Sequence, residues 1–216
     1  SVMRSVINRA KLNPQRIVFS EGEDPTIIKA ASHCIREKIC TPILLGQVER
    51  IRLAIADLGL DFDCEIIDPR YDERRRGDYA DELHDLRGRR GISRLDAIEL
   101  LKQPTWFAPM MVKRGDADGY LGGVSHNYPD IVKPCLKIIG TSEDAHRVVG
   151  SYMMTVDGQV MFIGDATINI NPDARTLAEI AVRTASVAKR FGVKPKVAVL
   201  SFSNFGSSGE LRTTRI

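Results

Sequence analysis

The stretch Gly115-Asp116-Ala117-Asp118-Gly119-Tyr120-Leu121-Gly122-Gly123-Val124-Ser125-His126-Asn127-Tyr128-Pro129-Asp130-Ile131-Val132-Lys133-Pro134-Cys135-Leu136-Lys137-Ile138-Ile139-Gly140 decides how this chain is read. A short apolar run closes at Leu121. Two glycines follow, then the polar cluster Ser125, His126 and Asn127. From Asp130 the apolar residues Ile131, Val132, Cys135, Leu136, Ile138 and Ile139 recur at helical spacing. The order is strand, glycine turn, polar loop, helix. In an open α/β sheet such a loop stands at the carboxyl end of a strand, where ligands gather. The free N–H groups of a helix start favour an anion, and glycine lets a ligand approach the backbone. An ordinary tight turn fits the same residues.

Working outward on the N-terminal side, Arg16–Ser20 reads as a strand. It is followed by Asp24 as a helix N-cap and Pro25 as the first helical residue. Ile27, Ile28, Ala31 and Ile35 share a helical face. Thr41–Gly46, Val48–Leu58 and Cys64–Ile67 continue as strand, helix and strand. This alternation predicts a parallel, doubly wound sheet. Between residues 70 and 91, seven arginines interleave with six acids, the pattern of a solvated, ion-paired helix. Its tail, Arg87-Gly88-Arg89-Arg90-Gly91, differs. Arginine forks flanking glycine suit a phosphate. Ser93 with Asp96 three residues on marks a new helix start. Trp106, Phe107, Met110 and Met111 read as core.

On the C-terminal side, Val148–Val156 and Gln159–Ile163 flank Asp157-Gly158, a hairpin signal. Asn171-Pro172 reads as the start of a long helix carrying Leu177, Ile180, Ala181, Thr184 and Ala188 on one face. Lys196–Leu200 reads as a buried strand running into the hydroxyl-rich loop Ser201–Ser208. Residues 1–147 are thus expected to form a first α/β lobe. Residues 148–216 are expected to begin a second, with hairpin, long helix and strand. Both chain ends are expected to be cut from a larger protein.

Composition narrows the function classes. The chain has 216 residues, 43% of them hydrophobic, enough for a sizeable core. A net charge of +3 is too small to argue for nucleic acid. Four cysteines without CxxC spacing read as reduced thiols of a cytoplasmic protein. No apolar run reaches the roughly 20 residues of a membrane span. The dinucleotide GxGxxG, the phosphate-binding GxxxxGK[ST] and the GxSxG elbow are all missing, and the four histidines lack metal-ligand spacing. The residues alone lead to a cytosolic α/β protein with two polar loops and an arginine-glycine turn suited to a phosphorylated ligand. A sugar-phosphate or nucleotide fits as well.

Resemblance goes further. Asp116–Gly119 through Ser125-His126 and Asp130-Ile131-Val132-Lys133-Pro134 resemble the core motif of phosphate acetyltransferases. Val197–Ser208 resembles the same family's strand and phosphate loop. Arg16–Glu23, Arg89-Arg90-Gly91, Phe162–Asp165, Asn171–Ala174 and Arg190–Pro195 agree in order along the chain. Asn204-Phe205-Gly206 is most similar to the C-terminal acetyltransferase-like domain of bacterial NADP-dependent malic enzymes. The resemblance implies a three-layer α/β/α, two-lobed fold of the isocitrate dehydrogenase-like class, C-terminally incomplete, and a homodimer or higher homo-oligomer. It implies acetyl-CoA or a related acyl-CoA as ligand, held by Arg87, Gly122, Gly123, Ser125, His126, Asn127, Lys133, Ser203, Asn204, Gly206 and Ser207. Lys133 stands where the enzymes carry an arginine, a point charge instead of a planar fork. The family's catalytic serine, arginine and aspartate are expected beyond residue 216, so no catalytic residue is assigned here. On the malic-enzyme branch the domain would sense acetyl-CoA and hold the oligomer together. NADP and a divalent metal would belong only to a malic enzyme domain earlier in the same parent chain. The alternative is a shortened phosphate acetyltransferase moving acetyl between CoA and phosphate.

Overall fold

A computed structural model describes residues 2–200. The chain divides into two units, residues 7–140 and residues 141–200 together with 2–6.

The chain begins with α1 (Val2–Leu12). The larger unit then runs β1 (Gln15–Phe19), α2 (Pro25–Arg36), β2 (Cys40–Leu45), α3 (Val48–Asp57), β3 (Glu65–Ile67), α4 (Glu73–Arg87), α5 (Arg94–Leu100), α6 (Pro104–Arg114), β4 (Gly119–Leu121) and α7 (Tyr128–Ile138). The four strands form one parallel sheet in the order β3-β2-β1-β4. The alternation read from sequence therefore holds, and so do its local signals. Asp24 caps α2 by accepting from the Thr26 N–H, with Pro25 behind it. Ser93 and Asp96 form a reciprocal capping box at α5.

Successive side chains of a strand face opposite ways, so the sheet builds a core on each side. Val18, Ile43 and Leu45 join Tyr79, Leu83, Phe107, Met110 and Met111 from α4 and α6. Phe19 and Leu44 join Ile27, Ala31 and Ile51 from α2 and α3. Helices on both faces of a parallel sheet make the doubly wound, three-layer arrangement. α4 is less solvated than its charge implies. Arg75 pairs with Glu65 and Asp72 near the surface. Arg76 is buried and donates to the Pro69 and Arg70 carbonyls at 2.8 and 2.6 Å.

The second unit holds β5 (Ser151–Val156), β6 (Gln159–Gly164) and α8 (Ala174–Arg190). The two strands pair antiparallel through Asp157-Gly158, whose φ values of 48° and 77° are those of a primed hairpin turn. α8 packs on β6, with Phe162 and Phe191 rings 5.5 Å apart. Two expectations fail here. The cap of α8 is Asp173, not Asn171, because the Asp173 carboxylate reaches the Thr176 N–H and sets the boundary two residues later. Lys196–Leu200 is neither strand nor buried. An apolar run becomes a strand only in a ladder, and it has none among the described residues.

Candidate functional site

The strand order reverses between β1 and β4. The chain steps from β1 to β2 to β3 on one side, then returns to place β4 on the other. That is the switch point at which open α/β sheets bind ligands. Two loops meet there, one after each strand. Gly22 lets the first loop lie against the end of β2. Its N–H donates to the Leu45 carbonyl at 3.0 Å, and a Cβ at this position would stand 2.7 Å from the same oxygen. This fixes Glu21 beneath the second loop. Gly122 opens that second loop where a Cβ would strike the Ser20 and Tyr120 hydroxyls at 2.6 and 2.7 Å. Gly123 follows at φ +109°, a conformation that favours glycine.

The turn then wraps around the Glu21 carboxylate. Oε2 accepts from the N–H groups of Gly123 and Val124 at 2.7 and 2.9 Å. Oε1 accepts from the Ser125 N–H at 2.6 Å, the Ser125 hydroxyl at 2.9 Å, the His126 N–H at 3.2 Å and the His126 Nδ1 at 2.9 Å. The Glu21 side chain is 3% exposed. Burial pushes its pKa up, but donors from His126, Ser125 and Val124 outweigh it and hold the carboxyl far below the ordinary range. The anion cradle expected at residues 122–127 is thus real in form, and an internal carboxylate fills its donors. Asn127 caps α7 without a side-chain hydrogen bond.

His126, Asp130, Lys133 and Lys137 follow one another at helical spacing of four, three and four. They line one wall of a groove of about 500 Å³ along α7. Gln103, Trp106, Ile92 and Leu100 help to form the other wall. The Lys137 ammonium sits 5.5 Å from the centre of the Trp106 ring. Lys133 is exposed and forms no ion pair among the described residues. Two lysines and an imidazole face one aspartate, a site that favours anionic oxygen.

Arg87 is placed elsewhere. Its guanidinium donates to the Lys137 and Leu136 carbonyls, Nε at 2.6 Å and Nη2 at 3.2 Å, and so covers the last turn of α7. α7 has 11 residues, which separates Arg87 from the Glu21 loop by about 16 Å along the axis. Gly88 makes room for the His84 ring, 2.9 Å from where its Cβ would be. Of the residues expected to hold ligand, the structure brings His126 and Lys133 into the groove and turns Arg87 to a helix end. Ser203, Asn204, Gly206 and Ser207 lie outside the described residues. Sequence reading passed over Glu21, Trp106 and Lys137 as site residues. The available signal was a glutamate directly after the strand of the switch point. Among the described residues, no group of three or more His, Cys, Asp or Glu could hold a metal ion, and no helix is long and apolar enough to cross a membrane.

Comparison with known proteins adds an independent line. Residues 1–216 match the family described as phosphate acetyl/butaryl transferase. A phosphate acetyltransferase of Thermoanaerobacterium thermosaccharolyticum is 38% identical over 216 residues, covering 96% of this chain and 65% of the relative. That of Nitratidesulfovibrio vulgaris is 37% identical over 211 residues, covering 95% of this chain and 29% of the relative. The crystal structure of a phosphotransacetylase from Streptococcus pyogenes superposes with a TM-score of 0.90 at 32% identity, over 100% of this chain and 66% of that one. A phosphotransacetylase from Staphylococcus aureus gives 0.85 at 32%, over 99% and 64%. The chain therefore spans less than two thirds of the length of these curated relatives.

Proposed function

The chain belongs to the phosphate acetyl/butaryl transferase family, and from that premise we propose that it is part of a phosphate acetyltransferase that moves an acetyl group between CoA and phosphate. In that reaction a phosphate oxygen attacks the thioester carbonyl. The new O–C bond forms, the C–S bond breaks, and the departing thiolate takes up a proton. Negative charge collects on the phosphate and on the tetrahedral oxygen, so positive groups that meet it raise the rate. The observation that carries the reading is the α7 groove, where Lys133 is without an acidic partner among the described residues beside His126 and Lys137. Trp106 offers it an apolar wall. Arg87 serves by holding the far end of the same helix. The enzyme acts in the cytoplasm as a homo-oligomer.

The second reading is an acetyl-CoA-sensing module of an NADP-dependent malic enzyme. It rests on Lys133 and on Asn204-Phe205-Gly206, whereas the relatives named above are described as transferases. One experiment separates the two. The full-length protein is assayed for CoA release from acetyl-CoA with phosphate, and for malate oxidation with NADP. Phosphate-dependent CoA release, with KM for phosphate raised about tenfold in Lys133→Ala, supports the transferase. Release no faster than a protein-free blank, together with malate oxidation inhibited by acetyl-CoA, establishes the second reading instead.

A further inference from the structure

The groove contains a histidine whose two nitrogens have different tasks. His126 Nδ1 lies 2.9 Å from Glu21 Oε1. That oxygen belongs to a carboxylate which also accepts four backbone N–H groups and the Ser125 hydroxyl. A carboxylate so surrounded is ionised and has only acceptors to offer. The ring can bond to it only by carrying a proton on Nδ1. In the neutral imidazole this leaves a lone pair on Nε2. The backbone leading into the ring is held by the same carboxylate, since the Ser125 and His126 N–H groups converge on Oε1. The His126 side chain is nevertheless 42% exposed and lines the groove. Glu21 itself is shut away from that groove beneath the loop, so it acts on a ligand only through the imidazole.

We propose that Glu21 is a positioning residue for His126, holding the ring as the Nδ1–H tautomer so that Nε2 faces the α7 groove as a hydrogen-bond acceptor beside Lys133 and Lys137. The groove then recognises a group that carries an anionic oxygen and, next to it, an O–H or N–H donor. A phosphate monoanion has both. Only this identification of the ligand rests on the transferase reading; the tautomer follows from the protein alone.

The test is nitrogen NMR of the full-length protein labelled with ¹⁵N-histidine, without substrate, at a pH where the rings are neutral. The signal of His126 is assigned by its loss in His126→Gln. Free imidazole of histidine prefers its proton on Nε2, so an Nδ1–H ring is diagnostic. Wild type is expected to show His126 with Nδ1 protonated and Nε2 bare. In Glu21→Gln the proton is expected to shift largely to Nε2, and phosphate-dependent CoA release should fall at least tenfold in kcat/KM. A wild-type His126 protonated on Nε2 overturns the proposal, and this holds even if the variant does not fold. A folded Glu21→Gln protein that keeps the Nδ1–H ring overturns it too. Wild type with the Nδ1–H ring but no CoA release supports the tautomer and sinks the transferase reading, so the two failures are distinct.

Discussion

The two ends of α7 are each held by a charged side chain from a distant element, and they are held differently. At the start, Glu21 is 3% exposed and takes up six donors. At the finish, Arg87 is half-buried and gives to two carbonyls. Both complement the helix dipole, a negative charge at the N-terminus and a positive one at the C-terminus. The difference lies in what each would leave behind. Four backbone N–H groups around Glu21 share this one acceptor in part-buried hydrogen bonds. The carbonyls under Arg87 can turn to solvent. Unmet buried donors are costly, whereas exposed carbonyls are not. The groove between these two anchors inherits an asymmetry, a histidine end held by six hydrogen bonds and a lysine end held by two.

The largest test removes the buried anchor. Glu21→Ala is expected to lower stability by about 3 kcal/mol, since several partly buried donors lose one shared acceptor. A urea titration compares the midpoints. A loss no greater than that of Arg87→Ala would break the contrast.

Acid comes next. The folded-state pKa of Glu21 lies below its unfolded value of about 4.3. Its contribution to stability is therefore complete above that value and is lost as pH falls. Between roughly pH 5 and pH 3 the wild type should lose about 2 kcal/mol more than Glu21→Gln. Asp68 and Asp118, also held low by arginine partners, are common to both proteins and cancel in the difference. Parallel stability–pH curves would show that the carboxylate is not the acid-sensitive member.

At the other end, Arg87→Ala should cost about 1 kcal/mol, and Arg87→Lys should restore part of it, because the role is a positive charge on helix carbonyls. Denaturation midpoints for the three proteins decide this. A loss in Arg87→Lys as large as in Arg87→Ala would mean that the two-carbonyl fork, not the charge, holds the end.

The smallest effect is at Lys137, whose ammonium rests on Trp106. Lys137→Met should cost about 0.5 kcal/mol of stability while raising KM for phosphate in the full-length enzyme. Unchanged KM would confine the lysine end to structure.

Much of the fold was legible without coordinates. Asp24 before Pro25, Ser93 with Asp96, and Asp157-Gly158 each settle their geometry within four residues, and all three stand as read. The apolar spacing of Trp106, Phe107, Met110 and Met111 found the core helix. His126 and Lys133 were singled out because glycines and a helix start surround them, and both line the α7 groove. Some contacts had no local signal. Arg87-Gly88 was read as a phosphate turn because arginine and glycine suit one, and the structure adds that the guanidinium meets carbonyls 49 and 50 residues on. Lys196–Leu200 looked like a strand because it is apolar, and it lacks a ladder among the described residues.

The sequence by itself determined most of the elements, their order and most of their caps, because those depend on hydrogen bonds and side-chain periods that span one turn of helix or one pair of strand residues. The tertiary structure decided the strand order β3-β2-β1-β4 and the meeting of Glu21 with residues 123–126. Those contacts join positions 102 to 105 apart. No local pattern encodes them, because an acceptor carries no mark of which distant donor it will meet until the sheet has brought the two loops to one edge.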